Sequence, residues 1–145
     1  MRRMWLAVVS AALAGCPSAD APPACVTVDT ACSPLYAPTF DNVYNNTLKA
    51  GCGSQLSSCH AANGAGVLAL PDPAVAHGEL LDGRVVPGDP GCSELVVRTG
   101  APGKDYQMPP GSGASLTAAE RCSLILWIEA GAPGPVNSAA PGGGR

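Results

Sequence analysis

Cys52, Cys59 and His60 fall within nine residues, in the stretch GCGSQLSSCH. Two thiols followed at once by an imidazole are the residue types that attach a haem covalently. The thiols fix the porphyrin through its vinyl groups, and a histidine directly after the second thiol then reaches the iron as proximal ligand. The usual spacing is C-x-x-C-H, whereas here the insert GSQLSS separates the cysteines. Its residues are small and polar, so the surplus loop can bulge outward without disturbing either thiol. The same pair has a second fate, a disulfide around a short polar loop, which leaves His60 as a neighbouring surface residue.

A haem iron with one histidine takes its sixth ligand from elsewhere. Met108, in YQMPPG, is the candidate distal ligand. Thioether–imidazole ligation raises the iron potential and suits electron transfer, and two following prolines stiffen the loop that must hold a weak ligand. The alternative role for Met108 is filling a gap in a core. His77 is the rival ligand, expected on a short helix beside Gly78 and facing solvent. Without a porphyrin, Cys52, Cys59, His60 and Met108 have the softness for a copper(I) site, but oxidised thiols do not coordinate and no copper-carrier motif is present. A zinc site lacks a second close ligand pair. Neither histidine has a serine-and-acid setting, and no Gly-x-Ser-x-Gly or phosphate-cradling loop occurs. The expectation is an electron carrier or a binding module, not a catalyst.

These ligands need elements to hold them. Thr39 can cap a helix whose Phe40, Val43, Tyr44 and Leu48 share one face, with Gly51 as its stop, so Cys52 would lie just past its end. Asp72-Pro73 and Asp89-Pro90 each set an N-cap acid before an N1 proline. The first predicts a helix over PAVAHGELL, the second one over PGCSELVVR closed by Gly100. Residues 100–114 read as loop. Thr117 and Glu120 form a capping box for a terminal helix to about Ala130, with Cys122, Ile125 and Ile128 on one face and Leu124 and Trp127 broadening it. No segment alternates with period two and no internal repeat is present. The fold class expected is an all-α, loop-rich domain over residues 38–133, with a disordered tail over 134–145.

Composition sharpens this. Gly 18 and Pro 15 make up 33 of the 145 residues and aromatics only 4%, so buried rings are scarce and the core needs a staple or a cofactor. The N-terminus supplies a basic start, MRR, and a short apolar run ending in LAGC. This is the pattern of a signal peptide over residues 1–15, too short to span a bilayer permanently. LAGC resembles the lipobox of bacterial lipoproteins, which implies cleavage before Cys16 and a lipid on its thiol, hence a protein anchored to a membrane rather than spanning it. Pro17 replaces the aspartate that retains some lipoproteins at the inner membrane, so the resemblance implies a periplasm-facing membrane or the cell surface, with a preference for the outer membrane. Residues 16–37, rich in Pro, Ala and Ser, read as the tether. Removing Arg2 and Arg3 leaves six basic against eleven acidic side chains, a net charge of −5, which argues against a nucleic-acid partner.

With Cys16 lipidated, six cysteines remain. An even count in an exported chain suggests oxidised or cofactor-bound thiols. Cys92 and Cys122, each on an expected helix, are read as one disulfide closing about thirty residues and contributing ~3–4 kcal/mol in the chain-entropy model. Cys25 and Cys32, both in the tether, are read either as a local pair or as ties that fasten the tether to the domain.

Taken in order, PTFDNVYNNTL, the C…CH stretch, RVVPGDPGCSELVVR, MPPG and LTAAERCSLILWIEAGAP resemble the small cytochrome c-like domains of exported bacterial proteins, many of them lipoproteins. The resemblance covers roughly residues 38–133. It implies Cys52 and Cys59 as attachment thiols for haem c, His60 as proximal and Met108 as distal iron ligand, single-electron transfer, and a redox partner protein of the envelope. The six-residue spacing departs from the family pattern. The competing expectation keeps this fold without the haem, as a disulfide-stapled binding or structural lipoprotein of the envelope.

Overall fold

The computed structural model describes residues 21–52, 60, 68–111 and 115–136. Cys16, Cys59, the expected signal segment and most of the expected C-terminal tail therefore lie outside the described residues. The architecture is a small all-α fold of four α-helices, with no strand among the described residues.

Helix α1, Phe40–Val43, is capped by Thr39, whose hydroxyl accepts from Asn42 N–H. It runs directly into a π-helical segment, Tyr44–Cys52. The amides of Asn45 and Asn46 donate to the carbonyls of Asp41 and Asn42 at 2.8 and 2.9 Å. Those carbonyls are the ones an α-helix would offer to backbone N–H groups four residues on, so the side chains compete with the α ladder where the winding loosens. Gly51 does not stop the element as expected. The winding carries through it, and Cys52 is its last residue rather than the first residue beyond it.

Helix α2, Pro73–Leu81, begins as its sequence dictates. The Asp72 carboxylate accepts from the N–H groups of Ala74 and Val75, both at 3.0 Å, and Pro73 fills the position that needs no donor. Helix α4, Ala118–Glu129, has the complete capping box: Glu120 N–H donates to Thr117 Oγ1 and Thr117 N–H to the Glu120 carboxylate. Cys122, Leu124, Ile125, Trp127 and Ile128 are all buried, and Gly131, at φ +91°, ends the helix. Phe40 lies against Trp127 with ring centroids 5.2 Å apart, joining α1 to α4 at the centre of the core.

Helix α3 departs from expectation. It spans Glu94–Thr99 and is preceded by Ser93, so the Asp89-Pro90 pair does not open it. Asp89 instead accepts from Cys92 N–H at 3.0 Å and closes a turn. Ser93, fully buried, bonds back to Asp89 O and to Val86 N–H. Residues 86–93 are thereby held as a tight knot, and helix begins only beyond it. Gly100 ends α3 as expected.

Both expected pairings are corrected, and of the two readings for Cys25 and Cys32 the tie between tether and domain is the one found. Cys92 does not join Cys122, nor Cys25 Cys32. The bonds are Cys25–Cys92 and Cys32–Cys122, with sequence separations of 67 and 90. The cause is the course of residues 25–36, part of the expected tether. Val26 N–H donates to Gly91 O at 2.9 Å, and Leu35 N–H to Ala119 O and Ser123 Oγ at 3.0 Å each. This segment therefore runs beside the knot before α3 and along α4, and supplies each of those elements with its cysteine partner. In the chain-entropy model two such long loops contribute roughly 4–5 kcal/mol each. The start of the expected tail is also fastened: Val136 N–H donates to Asp41 Oδ2 at 3.1 Å.

Candidate functional site

Three of the four candidate haem-site residues come together. Cys52, His60 and Met108 line one cleft of about 230 Å³. Cys59 lies outside the described residues, as does Cys16, the expected lipidation site. The walls are Leu48, Leu68, Leu70, Leu80 and Leu95, and Arg84, Glu94 and Arg98 bring charge to the same cleft. Each element delivers its part. The π-helical segment carries Cys52 at its end, α3 presents Glu94 and Arg98, and the loop after α3 brings Met108.

His60 is held by two backbone contacts. Its Nδ1 lies 2.8 Å from the carbonyl oxygen of Leu68, and its own carbonyl accepts from Leu70 N–H at 2.9 Å. A carbonyl can only accept, so Nδ1 carries a proton, which in the neutral tautomer leaves the lone pair on Nε2. This is the arrangement found in metal-ligating histidines, where a carbonyl fixes both tautomer and ring orientation. Tyr44 supports it from below: its hydroxyl donates to Leu70 O at 3.2 Å, and burial, with the charge of Asp72 behind it, pushes the phenol above its ordinary range.

Met108 is partly buried, and its N–H donates to Arg98 O at 3.1 Å. Its loop is knitted by Gln107, which is 6% exposed. The Gln107 side-chain oxygen accepts from Gly103 N–H at 2.6 Å, and its amide donates to Pro109 O, Gly111 O and Ser115 Oγ. The stiffness expected from two prolines thus rests largely on one buried amide.

Glu94 accepts from Arg98 Nε at 2.6 Å and pairs through its other oxygen with Arg84. Burial pushes its carboxyl up, but hydrogen bonds and charge from Arg84 and Arg98 outweigh that and hold it below its ordinary value. Two guanidinium groups around one carboxylate leave the cleft with one net positive charge.

His77, expected to face solvent, does not. It packs edge-on to Phe40 with centroids 4.9 Å apart, and its Nε2 lies 2.9 Å from Ala132 O. It pins the turn after α4 and does not line the cleft that holds Met108. Among the described residues no group of three or more His, Cys, Asp or Glu side chains is placed to hold a bare metal ion, and no helix is long and apolar enough to cross a membrane.

The donor set fits a porphyrin-held iron. The imidazole of His60 and the thioether of Met108 share a leucine-walled cleft with Cys52, and a bound porphyrin would supply the remaining iron ligands. Sequence reasoning missed Tyr44, Leu68 and Leu70 behind His60, because their roles run through backbone carbonyls. It also missed Glu94 and Arg98, although their four-residue spacing is a legible helical ion-pair signal. Comparison of this chain with protein-family models, with curated proteins and with solved structures finds no match to any of the three.

Proposed function

We propose that this chain is a c-type cytochrome domain that carries single electrons, with haem joined to Cys52 and Cys59 and its iron between His60 and Met108. The observation that carries the reading is the shared cleft: the imidazole of His60, oriented by the Leu68 carbonyl, the thioether of Met108 and Cys52 all line it. When bound, the haem supplies a one-electron Fe(III)/Fe(II) couple. The chain's own part would be to hold the His60 and Met108 side chains in place against the leucine-lined walls. Low reorganisation at the ligands is what electron transfer requires, and the Leu68 carbonyl and the braced Met108 loop provide it. The role is that of a carrier rather than a catalyst, passing electrons to a partner protein of the envelope. Anchoring through a lipid on Cys16, on a periplasm-facing membrane and preferably the outer one, is proposed from the LAGC ending; two long-range disulfides support an oxidising compartment.

The competing reading is a haem-less, stapled binding or structural lipoprotein. It is favoured by the same disulfides, which close the fold without any cofactor. An absorption spectrum of protein made with a haem-attachment system decides between them. A Soret band that survives acid-acetone extraction is expected. A colourless product, with mass spectrometry showing Cys52 joined to Cys59, would overturn the cytochrome reading.

A further inference from the structure

We infer that Arg98, oriented by Glu94, is the residue that positions Met108 at the cleft. The inference deepens the proposed function and rests on it for its redox consequence, while the clamp itself is a property of the haem-free chain.

Arg98 holds the Met108 loop twice. Its carbonyl accepts from Met108 N–H at 3.1 Å, and its guanidinium donates to Tyr106 O at 3.3 Å. The two contacts straddle Gln107, whose four side-chain hydrogen bonds keep the loop's shape. Gln107 makes the loop rigid within itself, and Arg98 fixes where that rigid piece sits against α3.

Arg98 is in turn aimed by Glu94, one helical turn earlier, at 2.6 Å from Nε. The second Glu94 oxygen is taken by Arg84, and the Arg84 carbonyl accepts from Leu95 N–H at 3.1 Å. Glu94 therefore has little freedom to turn away, and it holds the Arg98 guanidinium toward the loop. A lysine at this position keeps the charge but lacks the fork needed to bind a carboxylate and a carbonyl together.

Amide hydrogen exchange followed by NMR on the full haem-free chain tests the clamp in E94Q and R98K. Exchange at Met108 should quicken roughly tenfold, the effect of losing one charge-assisted hydrogen bond, while Leu124 and Ile128 in α4 keep their rates. An unchanged Met108 rate, or an equal rise at Leu124, overturns the inference. In haem-loaded protein both variants should lower the midpoint potential and weaken the sulfur-to-iron charge-transfer band with covalent haem content unchanged. An unaltered potential and band also overturn it. Failure of the unsubstituted chain to take up haem refutes the proposed function instead, and the exchange rates alone then decide the clamp.

Discussion

His60 Nδ1 sits 2.8 Å from the carbonyl oxygen of Leu68, eight residues along the chain. The contact settles which ring nitrogen carries the proton, because the carbonyl has none to give. Nitrogen-15 NMR of the neutral imidazole should therefore report the Nδ1–H tautomer for His60. It should report the opposite tautomer for His77, whose Nε2 faces the Ala132 carbonyl at 2.9 Å. Finding Nε2–H at His60 would remove the structural reason for assigning it as an iron ligand, with or without haem.

The two disulfides hold residues 25–36 against the helical body and do so at different places. Replacing Cys25 and Cys92 together by alanine should cost about 2–5 kcal/mol in unfolding free energy, as should replacing Cys32 and Cys122 together. Peptide mapping without reduction should recover the Cys25 peptide joined to the Cys92 peptide and the Cys32 peptide joined to that of Cys122. Recovery of a Cys92–Cys122 link would contradict the path of the N-terminal segment.

Gly91 packs against that segment. A Cβ added there would stand 2.7 Å from the backbone carbonyl oxygen of Val26, which no rotamer change can relieve. The same two residues are joined by the Val26 N–H to Gly91 O hydrogen bond at 2.9 Å. Gly91→Ala should destabilise the fold by about 1–3 kcal/mol, the usual cost of overpacking, and denaturant unfolding would show it. Gly78→Ala is the matched control, since nothing lies within 4 Å of its added methyl and the residue is inside α2. It should be neutral or slightly stabilising. Equal effects at the two sites would mean that the close approach at Gly91 is absent in solution.

What could be read in the sequence was local. The Asp72-Pro73 start of α2 and the Thr117–Glu120 box of α4 are satisfied within a few residues of themselves, so no distant contact could override them. The Asp89-Pro90 pair carried the same signal and failed, because Ser93 is recruited by Val86 and Asp89 into the knot before α3. Disulfide partners depend on where residues 25–36 run, and that course is set by backbone hydrogen bonds with no residue-type signature. At the site, Cys52, His60 and Met108 were legible as ligand types. Gln107 was not: a glutamine in a loop ordinarily reads as solvated, and only its burial shows that its amide joins four parts of the chain.

Glu94 makes the α3 edge of the cleft sensitive to acid. Its carboxyl is held below the ordinary value of 4.5: burial opposes ionisation, but the hydrogen bonds and charge of Arg84 and Arg98 outweigh it. A folded-state value depressed below the unfolded one means that the unfolded chain binds more protons in the intervening range. The stabilisation is therefore complete above pH 4.5 and is lost as the pH falls through the lower folded value. Glu94→Gln mimics the protonated side chain, so unsubstituted protein should be more stable than the variant by about 1 kcal/mol near neutrality, a modest figure because both ion pairs are partly solvated. That difference should stay flat down to roughly pH 5 and shrink below it, since the other carboxylates titrate alike in both proteins and cancel. Urea midpoints from neutral pH to about pH 3 measure it. A gap that does not close in acid would show that Glu94 acts through packing rather than through its charge on Arg84 and Arg98.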